Sequence, residues 1–110
     1  MNEKILKISI IVLMTLILYF LTINLITSHE EGHKQINSMF GVESEIIYTN
    51  FYLDGQTIQT TYCDTTKYDC KDLLSAQAQH EAVGYNTVIG FIGIYIFLYT
   101  FIILKIAKVI

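Results

Sequence analysis

ISIIVLMTLILYFLTINLITSHEEGH, residues Ile8–His33, decides how this chain folds. Its first twenty residues, through Thr27, carry no charged side chain. At about 1.5 Å per helical residue they match a hydrocarbon layer of about 30 Å. Working outward, a second uncharged run fills residues 82–104, rich in Ile, Phe and Tyr. Between the two lies a polar middle, residues 28–81, with nine of the ten acidic residues, three of the seven lysines and all three histidines. A 110-residue chain that is 53% hydrophobic and divided in this way is not an ordinary soluble enzyme, because some fifty polar residues cannot build a sufficient core alone. Nucleic-acid binding is excluded as well: the chain has no arginine and a net charge of −3, whereas phosphate contacts need a basic surface.

The sequence therefore predicts a mainly α, single membrane domain over residues 1–110, with two antiparallel transmembrane helices that extend beyond the bilayer. The first span, 8–27, continues as helix to residue 40, since nothing there breaks it: proline is absent and Gly32 is the one glycine. Gly41 is the expected stop. A cleaved signal peptide fits poorly, because the apolar run is too long and Ile26-Thr27-Ser28 makes a weak cleavage site. Lys4 and Lys7 before the first span, and Lys105 and Lys108 after the second, place both termini in the cytoplasm and residues 28–81 outside. There Cys63 and Cys70 can form a disulfide; in a reducing compartment they would be free thiols. Gly90 and Gly93 are the expected places where the first span packs on the second.

Residues 43–62 read as a β-hairpin. Two β-branched and aromatic runs, Ile46–Leu53 and Thr57–Tyr62, flank Asp54-Gly55, a two-residue turn signal. An isolated hairpin is marginal in water, so its apolar face is expected on the helices or on lipid. A short Cys-containing loop follows. Asp72 is the expected cap of the second helix.

His29-Glu30-Glu31-Gly32-His33 is an H-E-x-x-H sequence. On a helix, residues four apart share a face, so His29 and His33 can grip one Zn2+ ion. Glu30 then stands beside a zinc-activated water as the general base for amide hydrolysis. A third ligand is sought on the second helix, where His80 and Glu81 lie roughly 2–6 Å above the expected membrane edge, the height of His29 and His33. They are about 100° apart, so only one is expected to face the first helix. Glu81 is favoured, because a carboxylate near lipid needs a partner more than an imidazole does, with His80 as the alternative. Tyr85 or Asn86 can donate a hydrogen bond to a reacting carbonyl.

His29-Glu30-Glu31-Gly32-His33, with Gly41-Val42 beginning eight residues after the motif, resembles the first-core-helix signature of the site-2-protease-like intramembrane zinc metallopeptidases. That pattern runs H-E-x-G-H, seven residues, then Gly and an aliphatic. Ala82-Val83-Gly84-Tyr85-Asn86 resembles the small-Gly-Tyr opening of a later helix in small members. The resemblance covers residues 10–62 and, more weakly, 82–93. It implies a minimal two-span version that hydrolyses peptide bonds at or in the membrane, with His29 and His33 as zinc ligands and Glu30 as base. The family takes its third ligand from a Leu-Asp-Gly motif on a later membrane helix; here Leu53-Asp54-Gly55 falls at the expected hairpin tip and is read as a turn. Asn37 stands where the family carries a small residue. The expected partners are membrane lipid, a peptide or membrane-protein substrate, and a second copy of the chain. The alternative is a non-enzymatic two-span protein whose polar loop binds a partner, with a structural metal or none.

Overall fold

A computed structural model describes residues 2–108; the extreme ends of the single domain expected over 1–110 lie outside them. The order is α1 (Glu3–Met39), β1 (Ser44–Thr49), β2 (Asp54–Gln59) and α2 (Cys70–Ile106). The architecture is two long apolar helices with a small antiparallel hairpin between them in sequence. Both helices are long and apolar enough to cross a membrane.

α1 is capped at its start by the Asn2 side chain, which accepts from the Lys4 N–H at 2.9 Å. It ends where Gly41 adopts φ +69°, a left-handed conformation that a side chain resists. The Gly41 N–H donates to Ser38 O and the Val42 N–H to Asn37 O, so orphan carbonyls of the last turn are satisfied in a Schellman arrangement. Val42 is buried behind this turn. The helix thus stops at Gly41, as its sequence predicts.

The hairpin departs from expectation at its tip. Asp54 and Gly55 are the first residues of β2, paired with Thr49 and Tyr48, and the loop is Asn50-Phe51-Tyr52-Leu53. Asn50, Phe51 and Tyr52 all take positive φ. Close packing explains Gly55 in a strand: a Cβ there would meet both the Glu30 Cγ and the Tyr48 ring at 3.1 Å. The tip is held by Tyr19, whose hydroxyl donates to Phe51 O at 2.8 Å. Further along, Thr57 bonds Glu30 and Gln59 bonds Asn37, so β2 runs alongside α1 in the same direction. The Cys63 and Cys70 sulfurs stand at disulfide distance and join the end of the hairpin segment to the start of α2.

Asp69, not Asp72, caps α2, accepting from the Lys71 N–H at 3.1 Å. Asp72 lies in the first turn, where a negative charge suits the helix dipole. The two helices pack antiparallel, with His80 against Gly32, His29 against Gly84, and Tyr95 donating to Met14 O. Gly90 and Gly93 do not make this contact: nothing lies within 4 Å of where their Cβ atoms would be. Close approach occurs at Gly84 instead, one helical segment nearer the polar middle. The fold is slender, 68 × 23 × 16 Å, and leaves large apolar side chains such as Phe20, Phe97 and Ile94 exposed along both helices.

Candidate metal centre

The uninterrupted helix α1 sets His29 and His33 one turn apart, and the antiparallel α2 brings His80 and Glu81 opposite them. Both α2 residues face α1, contrary to the expectation that only one would. The reason is a pair of notches. A Cβ on Gly32 would lie 2.3 Å from the His80 ring, and a Cβ on Gly84 would lie 2.2 Å from the His29 ring, so each helix offers a hydrogen atom where the other inserts an imidazole. His80 thereby stacks on His29, with centroids 4.6 Å apart and planes 10° from parallel. The flexible Glu81 side chain reaches the same place from the adjoining position.

His29, His33 and His80 each offer a ring nitrogen within 4.8 Å of the others, close enough to hold one metal ion. Glu81 makes a tighter set with the first two. Its Oε2 lies 2.6 Å from His33 Nε2 and 3.2 Å from His29 Nε2, and the two nitrogens are 3.1 Å apart. Ligands about 2.0–2.1 Å from a tetrahedral ion stand about 3.3 Å from one another, so this triangle is close to the size such an ion requires. His80 is engaged elsewhere: its Nε2–H donates to the backbone carbonyl of His29 at 2.7 Å. We therefore give Glu81 precedence over His80 in the inner set. Burial pushes the Glu81 carboxyl up, and the adjoining His33 and His29 rings outweigh it, holding the group below the usual carboxylate range. Glu81 is an anion at neutral pH.

Glu30 is buried beneath β2, and its Oε2 accepts from the Thr57 hydroxyl at 2.5 Å. Its other carboxylate oxygen makes no hydrogen bond among the described residues. Two cavities meet at Glu30, Gly55 and Glu81. One, of about 340 Å³, is walled by His33, Asn37, Gln59 and Gln77; the other, of about 260 Å³, by Ile26, His29, Leu53, Tyr85 and Val88. The cleft is thus amide-lined at one end and apolar at the end nearer the long apolar runs. Tyr85 lines the apolar half, whereas Asn86 lines neither. Asp54 also borders the apolar half, but its carboxylate accepts from the Thr49 hydroxyl, at 3.4 Å, within the hairpin.

Four polar residues, Asn37, Gln59, Gln77 and Thr57, complete the site. Asn37, only 2% exposed, accepts through Oδ1 from Gln59 Nε2 at 3.0 Å and Gln77 Nε2 at 2.8 Å. Gln77 also meets the His33 ring. Thr57 fixes Glu30. Asn37, one turn beyond His33, is the one signal of this in the sequence, since a polar side chain on the helix face that carries the motif needs partners.

Compared with family models, curated proteins and solved structures, the chain matches none.

Proposed function

We propose that this chain is a two-span membrane protein with a zinc site at the membrane boundary, and that the site hydrolyses peptide bonds there. The observation that carries the reading is the convergence of His29 Nε2, His33 Nε2 and Glu81 Oε2 within 3.2 Å of one another. Two imidazoles and a carboxylate are a donor set suited to zinc, and three protein ligands leave a fourth position open. Zinc bound there lowers the pKa of a coordinated water to about 7 and polarises a carbonyl oxygen.

The chain supplies the remaining chemistry. Glu30, in the cleft between the ligands and β2, takes the proton of the attacking water and returns it to the leaving amine. The Thr57 hydroxyl holds one carboxylate oxygen, so the other is presented at a fixed angle. The substrate is a peptide lying along the cleft, with a polar part against Gln59 and Gln77 and an apolar part against Ile26, Leu53 and Val88. Lysines at both ends orient the protein with its termini in the cytoplasm and the site outside. Tyr19 lies eight residues before Thr27, about 12 Å along the helix, so its bond to Phe51 carries the hairpin tip to hydrocarbon depth.

The nearness of His80 favours a second reading, a structural metal with no reaction. If His80 also coordinates, the site is closed by four protein ligands and holds no water. Glu30→Gln separates the two. On the hydrolytic reading this variant keeps zinc in the purified protein and loses cleavage of a membrane-embedded peptide by at least a hundredfold. Equal cleavage by Glu30→Gln and the native chain would overturn the assignment of the base.

A further inference from the structure

We infer that Gln77 is a positioning residue that sets the tautomer of His33, so that His33 Nε2 presents a bare lone pair to the metal centre. The inference rests on the metal-site reading for its purpose, but its geometry stands apart from it.

One group in this part of the structure has no freedom of role. The backbone carbonyl of His33 can only accept, and the Gln77 side-chain amide lies 3.0 Å from it. An acceptor must face a donor, so the NH2 of Gln77 is the end that points there. The same NH2 reaches Asn37 Oδ1 at 2.8 Å, which Gln59 Nε2 approaches from the hairpin at 3.0 Å. Turning the Gln77 amide over would set its oxygen against two acceptors at once. With the nitrogen so placed, Gln77 Oε1 is the atom that meets His33 Nδ1. An amide oxygen can only accept, so Nδ1 carries the hydrogen. In the neutral ring Nε2 is then unprotonated.

The consequence falls on the metal centre. A bare His33 Nε2 stands 2.6 Å from the Glu81 Oε2 anion and 3.1 Å from His29 Nε2. Two acceptors at such a separation repel each other unless a proton or a metal cation lies between them, so the proton shared with Glu81 in the metal-free protein is the one a metal ion would displace. Gln59, Asn37 and Gln77 thus form a chain of amides that runs from β2 to the ring and commits its far nitrogen to a cation. Hydrogen-bonded partners of this kind typically change metal affinity by 10–100-fold. The chain also ties the hairpin to the ligand, so β2 acts on the His33 ring through Asn37 and Gln77.

Nitrogen NMR of the histidine-labelled, metal-free protein in detergent at about pH 8, where free imidazole is neutral, reads the tautomer directly. The native chain is expected to show His33 protonated at Nδ1, the nitrogen that faces Gln77 Oε1. Gln77→Met, which keeps the length and removes both polar atoms, is expected to give a mixture of tautomers and 10–100-fold weaker zinc binding in competition with a chelating dye. Gln79→Met, at an exposed position on the same helix, changes neither. A native His33 bare at Nδ1, or a Gln77→Met protein with unchanged Nδ1 protonation and unchanged zinc affinity, would overturn the inference. A native chain that shows the Nδ1–H tautomer but takes up no zinc supports the amide chain and contradicts the metal reading, so the two failures are told apart.

Discussion

A hydrogen atom in place of a methyl group at Gly84 is what lets the His29 ring sit between the helices, and the equivalent notch at Gly32 admits His80. These positions differ in kind from Gly90, where the space beyond the backbone is open. The difference sets the sign of a substitution. Gly84→Val must displace His29, and zinc affinity is expected to fall by about tenfold or more, as for other changes that misplace a ligand. Gly90→Ala is expected to leave zinc binding unchanged and to stabilise the helix by up to about 1 kcal/mol. Chelator competition and thermal unfolding of both variants check this; equal effects at the two glycines would contradict it. At this scale the sequence is only partly legible. His29, Glu30 and His33 declare themselves by spacing on one helix. That His80 and Glu81 both arrive is not legible, because an angular separation of about 100° ignores the reach of a glutamate and the notch at Gly32. The Asn37–Gln77–Gln59 chain depends on three segments meeting, which no local pattern encodes.

Among the elements, α1 is the most legible in the sequence. Absence of proline and a glycine stop at residue 41 define it by local chemistry alone, and the Schellman bonds of Gly41 and Val42 are the physical form of that stop. The hairpin is legible as an element but not in its register. Asp-Gly is a strong turn signal, yet here Gly55 is needed in β2 to let Glu30 and Tyr48 approach, and the turn moves to Asn50–Leu53. Tertiary contact overrides a local preference worth about 1 kcal/mol. The start of α2 shifts for a similar reason, from Asp72 to Asp69, beside the Cys63–Cys70 link. The loop of the hairpin makes its own prediction. Phe51 is 85% exposed yet tied to Tyr19 within the first apolar run. The chain contains no tryptophan, so Phe51→Trp in vesicles is a clean probe. Its emission is expected to be blue-shifted and quenched by lipids brominated on the acyl chain, while Tyr62→Trp, at the opposite end of the hairpin segment, emits as in water. Identical emission from the two variants would contradict insertion of the tip.

On the scale of the whole molecule, the division into apolar ends and a polar middle becomes one device. Two rods, packed antiparallel, bring a motif towards the C-terminal end of α1 level with residues at the N-terminal end of the apolar run of α2. The hairpin covers Glu30 from the side and closes a cleft whose two ends differ in polarity. Little else is buried: among the described residues Val42, Leu73, Glu30 and Asn37 are the buried ones, and two of these four are polar residues of the site. Glu30 and Asn37 lie beside the histidine and carboxylate cluster, and the central claim is that the cluster holds zinc. Metal analysis of the detergent-purified chain tests this most directly. The account predicts about one zinc per chain in the native protein and loss of that zinc in a His29→Ala, His33→Ala variant that keeps its helical content. A native chain without zinc, or one whose zinc survives removal of both rings, would contradict it.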